Sequence, residues 1–350
     1  MKRGAAFLVS RQEADGAVRS PTYAAFRDGY ALTGLAAMAL GMAGERAAFA
    51  KACDFLVTLV DDEGALRDVA YPTYAAALAV LAFTLSNDAR HLRVRAQLVD
   101  ELRRRQLGPE HGWRDDDASY GGWGYHARVP VRPEGVIHDD MLSSNLSATL
   151  LVAGALVAAG VPPDDPALVR ARGFVERCQH ADGGFFFSPA VPDANKAGSD
   201  AAGFRSYGSM TADGARALRR LGASPERVAR ADAWLARHFD AARNPGEFAQ
   251  EVRRASSYYY WAWTSAHAMR ATGTGAWAPA LVGELVARQR ADGSWKNDAT
   301  EMREDDPVVA TALAMAALLV GRSAITGEYR GHAVSKPVAP AAGDGGALVP

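Results

Sequence analysis

Along the chain, stretches that are apolar on nearly every side alternate with stretches that carry an apolar stripe beside a charged face. Leu146-Ser147-Ala148-Thr149-Leu150-Leu151-Val152-Ala153-Gly154-Ala155-Leu156 is of the first kind and predicts a helix buried all round. Arg93 to Gln106 is of the second kind. Its Val99 and Leu102 face one way while Arg103, Arg104 and Arg105 need water, which predicts a helix on the outside. A glycine turn separates each striped stretch from the apolar one that follows. Gly16, Gly64, Gly112, Gly183, Gly246 and Gly293 mark six such turns, about fifty residues apart where the connections are short, a period typical of repeat architectures. The inner helices are then expected at Tyr30 to Gly41, Tyr74 to Leu85, Met141 to Ala159, Met210 to Leu221, Tyr258 to Ala271 and Val308 to Val320. Asp165-Pro166, Ser224-Pro225 and Asp306-Pro307 each put a capping oxygen before a proline at a helix start. Strand alternation is absent over any useful length, so the class is all-α.

Three of the turns repeat Gln-x-Ala-Asp-Gly: Gln12 to Gly16, Gln179 to Gly183 and Gln289 to Gly293. Asp-Gly suits a tight reversal with positive φ at the glycine. The Gln amide is placed to bond loop backbone or the exposed N–H groups of a neighbouring helix, and in two of the three turns an aromatic two residues on, Phe185 or Trp295, covers it. The repeat is therefore expected to staple one hairpin to the next. It resembles the QW repeat of squalene-hopene cyclases and the related repeat of protein prenyltransferase beta subunits, with Gly112-Trp113 and Gly246 with Phe248 as worn copies. The resemblance runs from about Ala5 to Val320. It implies an (α/α)6 toroid of six helical hairpins, one domain over residues 1–329, with a Pro/Ala/Gly tail over 330–350 expected to be disordered.

In such a ring the inner helices start at one end, so function is sought around their N-termini. The catalytic candidates there are the carboxylate pairs Asp139-Asp140 and Asp305-Asp306, since neighbouring carboxyls can split their titrations and leave one protonated. The substrate-binding candidates are Tyr30, Tyr74, Trp123, Tyr125, Arg205, Tyr207, Tyr259, Tyr260 and Trp263, rings that can hold an apolar chain or a cation and an arginine suited to an anionic head group. Simpler structural readings stand beside these. Asp306 before Pro307, and Asp140 with Ser143, suit helix caps; Tyr258 to Trp263 suits a core or cavity wall; Arg205 suits a solvated loop; His267 suits a core histidine. The loops Asp115 to Ile137 and Ser188 to Tyr207 are long enough to act as lids, with Phe185 to Phe187 beside them.

The family's chemistry is only partly matched. The positions that would carry zinc ligands in a prenyltransferase fall on Arg205, Tyr207 and Tyr260, and Cys178-Gln179-His180 is half a zinc site at the wrong end of a helix. The Asp-x-Asp-Asp acid of the cyclases has no counterpart, and Asp115-Asp116-Asp117 lies in a loop. No cofactor or metal is implied. Lys and Arg number 39 against 40 Asp and Glu, so no positive excess exists for a nucleic-acid partner. Cys53 and Cys178 are too few for a disulfide framework. The longest apolar run, Ala148 to Ala159, is short of the ~20 residues of a membrane span, so a soluble protein is expected. Gly4 to Val9 is too short for a signal-peptide core, and the first repeat starts within a dozen residues of Met1, as in a chain trimmed of a leader; localisation stays open. The resemblance implies a squalene-cyclase-like protein with an isoprenoid or other apolar small-molecule partner, of terpene-cyclase type with a non-standard acid. A binding toroid without catalysis, and a carbohydrate-active (α/α)6 enzyme, are the alternatives. Oligomeric state is not addressed by the residues.

Overall fold

The computed structural model describes residues 1–135, 141–273 and 276–327, and the chain there is largely helical. In chain order the helices are α1 (Lys2–Ser10), α2 (Tyr30–Ala43), α3 (Arg46–Val57), α4 (Pro72–Phe83), α5 (Ala89–Arg104), α6 (Leu146–Ala158), α7 (Pro166–Arg177), α8 (Gly208–Arg220), α9 (Pro225–His238), α10 (Glu251–Ala255), α11 (Tyr258–Thr272), α12 (Trp277–Ala287) and α13 (Pro307–Thr326). The strands among the described residues are one small antiparallel pair, Ser199–Asp200 with Gly203–Phe204. The expected tail beyond Tyr329 lies outside the described residues.

Helices α2, α4, α6, α8, α11 and α13 each pack against the next, and α13 returns to α2, so the inner wall is a closed ring. Each of α1, α3, α5, α7, α9 and α12 sits outside, between two consecutive inner helices. Composition explains the division. Almost every residue of α4 and α6 is buried, and small side chains let the axes approach: a Cβ on Gly34 would stand 2.7 Å from that of Leu78. Helix α5 buries Val94, Leu98, Val99 and Leu102 and turns most of its arginines outward. The caps fall where the sequence puts them, with Asp165, Ser224 and Asp306 accepting from the N–H groups of Ala167, Arg227 and Val308. Helix α13 is long and apolar enough to cross a membrane by length and composition, which the run Ala148 to Ala159 is not; most of it is buried inside the ring.

The glutamine turns do staple the hairpins, through carbonyls rather than helix N–H groups. Gln12 Nε2 donates to Gly16 O at 3.0 Å and to Ala48 O, in the first turn of the next outer helix, at 2.9 Å. Gln179 does the same with Gly183 O and Arg227 O, at 3.2 and 3.0 Å. Gln289 donates to Gly293 O and accepts from Arg3 Nη2, joining the sixth unit to the first. Threonines of the inner helices add a second rung: Thr33, Thr149, Thr211 and Thr311 accept from the N–H groups of Val18, Trp123, Phe185 and Trp295.

This pattern corrects two of the worn copies. In the third unit Gln106 donates to Gly121 O and Ala167 O at 2.8 and 2.7 Å, so the copy is Gln106 with Gly121-Gly122-Trp123. The segment carrying Gly112-Trp113 is an insertion between its halves. Gly246 instead packs against the start of α8, where Pro245 O accepts from Gly208 N at 2.7 Å.

The turn glycines allow a direct test. Gly16 has φ +90°, and a Cβ there would meet Lys51 O at 2.2 Å. Gly44 has φ +83° with nothing within 4 Å. Gly16→Ala is expected to cost about 2–3 kcal/mol and Gly44→Ala about 1 kcal/mol in chemical denaturation, strain and clash acting together only at the first. Equal losses would show that the turn does not press on the neighbouring helix.

Candidate functional site

At the N-terminal ends of the inner helices the ring encloses a cavity of about 540 Å³. Its aliphatic wall comes from Leu35 of α2, Leu78 of α4, Leu150 and Leu151 of α6, and Val309 and Leu313 of α13. Its aromatic wall is Phe26, Tyr71, Tyr74, Tyr125, Phe187, Tyr260 and Trp263. The rings touch in sequence. Tyr71 meets Tyr74 at 6.5 Å between centroids, Tyr74 stacks on Tyr125 at 5.6 Å, Tyr125 faces Phe187 at 6.5 Å, and Tyr260 meets Trp263 edge-on at 5.4 Å. Both long loops reach the cavity, the first through Tyr125 and the second through Asp193, Ala194 and Lys196, and Met141 lines it as well.

Charged groups gather on the loop side. Lys196, Arg253 and Arg303 line the cavity with Asp193, Glu301 and Glu304, and none of the three cations has a carboxylate within 4.0 Å among the described residues. The Lys196 ammonium lies 4.9 Å from the Phe187 ring, and burial pulls its titration down to about 8. Arg303 has φ +57°, the one positive φ outside glycine among the described residues, and its guanidinium stands 4.7 Å from the Tyr23 ring and 5.6 Å from Phe26. A strained backbone that aims an arginine along a cavity wall is the kind of outlier that accompanies ligand binding. Glu304 is buried and accepts from the N–H groups of Tyr259 and Tyr260, at 2.9 and 2.8 Å, and from Asn297 Nδ2 at 3.1 Å. It closes the start of α11, and burial raises its carboxyl to about 7 despite those bonds.

Of the candidates named from sequence, Tyr74, Tyr125, Tyr260 and Trp263 meet in the cavity wall. Asp139 and Asp140 lie outside the described residues. Asp306 is the cap of α13, and Asp305 accepts from the Tyr23 hydroxyl; neither lines the cavity. Tyr30 stacks on Phe55 on the outer side of α2, and the Tyr259 hydroxyl bonds Lys296 O. Tyr207 is fully buried against Phe248. Trp123 is also fully buried, its Nε1 donating to Leu102 O at 2.7 Å, because it is the aromatic of a staple and not a lid. Arg205 pairs with Asp200 at 3.2 Å away from the cavity, and Phe185 is the staple ring corresponding to Trp123. Trp263 carries the Arg216 guanidinium 4.7 Å from its centroid, so that ring already has a cation and serves the cavity better as an apolar surface.

Contributors missed from sequence include Lys196, Arg253, Arg303, Glu304, Ser147 and Asp213. Asp213 had a readable signal, being the one carboxylate within any of the six inner helices. It is fully buried under the cavity wall, bonded by Tyr260 Oη at 2.7 Å and by Thr264 Oγ1, with Arg216 Nη1 at 3.8 Å. Burial raises it to about 6 against the pull of Arg216. Among the described residues no three His, Cys, Asp or Glu side chains gather as a metal would require.

Comparison with known structures places this architecture. A protein from Actinoplanes is 20% identical with a TM-score of 0.52, over 93% of this chain and 98% of that one. The apo form of the type II terpene cyclase MstE from Scytonema is 16% identical with a TM-score of 0.56, over 93% and 97%. Cellobiose 2-epimerase from Spirochaeta thermophila DSM 6192 is 14% identical with a TM-score of 0.60, over 92% and 93%. The fold is an α/α toroid. No family model matches the chain, and no curated protein matches it. At these identities the likeness extends to the ring and not to the chemistry inside it.

Proposed function

We propose that this toroid is an isoprenoid-handling enzyme of terpene-cyclase type, holding an extended apolar chain in the central cavity with an anionic head group at the loop end. The observation that carries the reading is the wall itself: aliphatic and aromatic side chains from five of the inner helices and from both long loops surround about 540 Å³ of open space, within the usual range of a small-molecule site. Lys196, Arg253 and Arg303 supply positive charge without carboxylate partners where a head group would rest. Asp139 and Asp140 are the proposed acid pair; the next residue in the chain, Met141, lines the cavity.

An open, hydrocarbon-lined chamber fits the catalytic reading better than a toroid plugged by its own side chains. A sugar-binding groove would call for more polar walls than these leucines and phenylalanines offer. Calorimetric titration with geranylgeranyl diphosphate and geranylgeraniol tests the proposal, with product analysis by gas chromatography and mass spectrometry. The diphosphate is expected to bind about 10–100-fold more tightly than the alcohol, and Lys196→Met to remove most of that preference. Turnover of a disaccharide with no polyprenyl binding would transfer the protein to the carbohydrate-active class.

A further inference from the structure

The cavity wall holds a line of hydroxyls that ends on the buried Asp213. Tyr260 Oη lies 2.7 Å from Asp213 Oδ2 and 2.8 Å from Ser147 Oγ, and Ser147 Oγ lies 3.0 Å from Tyr74 Oη. Tyr74, Ser147 and Tyr260 line the cavity while Asp213 stands behind it. They come from α4, α6, α11 and α8, so the line crosses four helices of the ring.

The donor inventory fixes its direction. A carboxylate only accepts, so Tyr260 spends its single hydroxyl hydrogen on Asp213; Ser147 must then donate to Tyr260, Tyr74 to Ser147, and Tyr125, which is hydrogen-bonded to Tyr74, to Tyr74 Oη, leaving that oxygen one further lone pair. Every O–H points toward Asp213. We infer that this line is a proton exit, through which Asp213 takes up the proton lost by a substrate when a carbocation in the cavity closes to an alkene. The inference rests on the proposed function. In the step, a C–H bond beside the cationic carbon breaks and its electron pair becomes the new π bond. The proton bonds to Tyr74 Oη as the hydrogens of Tyr74, Ser147 and Tyr260 each move one oxygen along, and Asp213 becomes a neutral acid. No tyrosinate forms at any stage, consistent with burial holding Tyr74 and Tyr260 far above the usual phenol range.

The groups facing Asp213 suit a reversible acceptor. Arg216 at 3.8 Å and the more distant Arg220 favour its charged form, Thr264 and Tyr260 bond it, and His267 beyond Arg216 is held neutral by burial. Burial opposes them and leaves the carboxyl at about 6. Tyr74 and Ser147 act on the substrate's proton; Asp213 acts through them as a positioning residue and store.

Two measurements test this, one without substrate. Infrared difference spectra of the ligand-free protein, with Asp213→Asn as reference, should show one carboxyl titrating near pH 6, and Tyr260→Phe should shift its midpoint. With geranylgeranyl diphosphate as the probe, wild-type product formation should rise with pH through the same midpoint. Asp213→Asn should flatten that profile with at least about a 100-fold loss of rate, and Ser147→Ala should lower the rate while leaving the infrared midpoint near 6. A carboxyl that stays ionised throughout, or a pH profile that survives Asp213→Asn, overturns the relay. Failure of the probe to react overturns the proposed function, and the infrared midpoint then decides whether the store exists.

Discussion

Trp123→Ala is expected to cost about 3–5 kcal/mol of folding stability and to leave little folded ring at temperatures the wild type withstands. The indole is fully buried among α5, α6 and the third turn. Its Nε1 donates to Leu102 O at 2.7 Å, its backbone N–H to Thr149 Oγ1 at 3.1 Å, and its carbonyl accepts from Asn145 N at 2.9 Å. Truncation leaves a void and an unpaired buried carbonyl at Leu102, and both losses fall on the junction between two repeats. Trp123→Phe retains most of the volume and should recover much of the loss. Urea denaturation followed by circular dichroism measures the effect. A small loss of stability with a large loss of ligand affinity would return Trp123 to the binding surface.

The second large effect is a pH-dependent one at Glu304. Its carboxyl rises from 4.5 to about 7 on folding because burial disfavours the charge. A raised folded value means that the group's favourable contribution is complete below about 4.5 and lost as pH climbs through 7. The shift corresponds to roughly 3 kcal/mol. His126, lowered from 6.5 to about 4 by burial, runs the other way: its contribution is present above 6.5 and lost as pH falls through 4. The two oppose each other in the wild type, so the variant is the clean test. Relative to wild type, Glu304→Gln should be more stable by roughly 3 kcal/mol at pH 8 than at pH 4.5, whatever its absolute cost in broken bonds to the start of α11. A stability difference independent of pH would show that Glu304 titrates normally.

The ring was legible in the sequence because its signals are local and repeated. A glycine that needs positive φ, a glutamine six residues before a buried apolar side chain (Val18, Phe185 and Trp295) and a largely buried helix after it recur often enough to set the architecture. The third turn is hidden in the sequence because an insertion parts Gln106 from Gly121, and the insertion carries a Gly-Trp pair of its own. The cavity was legible only in part. Tyr74, Tyr260 and Trp263 follow from helix register, but Tyr207 sits just as near an inner start in sequence and points into scaffold, as does Trp123 from the glycine-rich third turn. Lys196 and Glu304 enter from loops, whose path no periodicity describes. Asp213 lies more than a turn inside α8, where the pattern marks a buried position and gives no sign of the tyrosine that reaches it from α11.

The pairing of Arg3 with Gln289 has a bearing on how the molecule fails. An open solenoid frays from its ends, and its repeats melt in succession. Here the first hairpin locks onto the sixth, so there is no loose end from which to unzip, and opening any seam strips neighbours from two units at once. Damage to one staple should therefore be felt as a loss of the whole annulus, with the reaction chamber vanishing in the same transition as the scaffold around it.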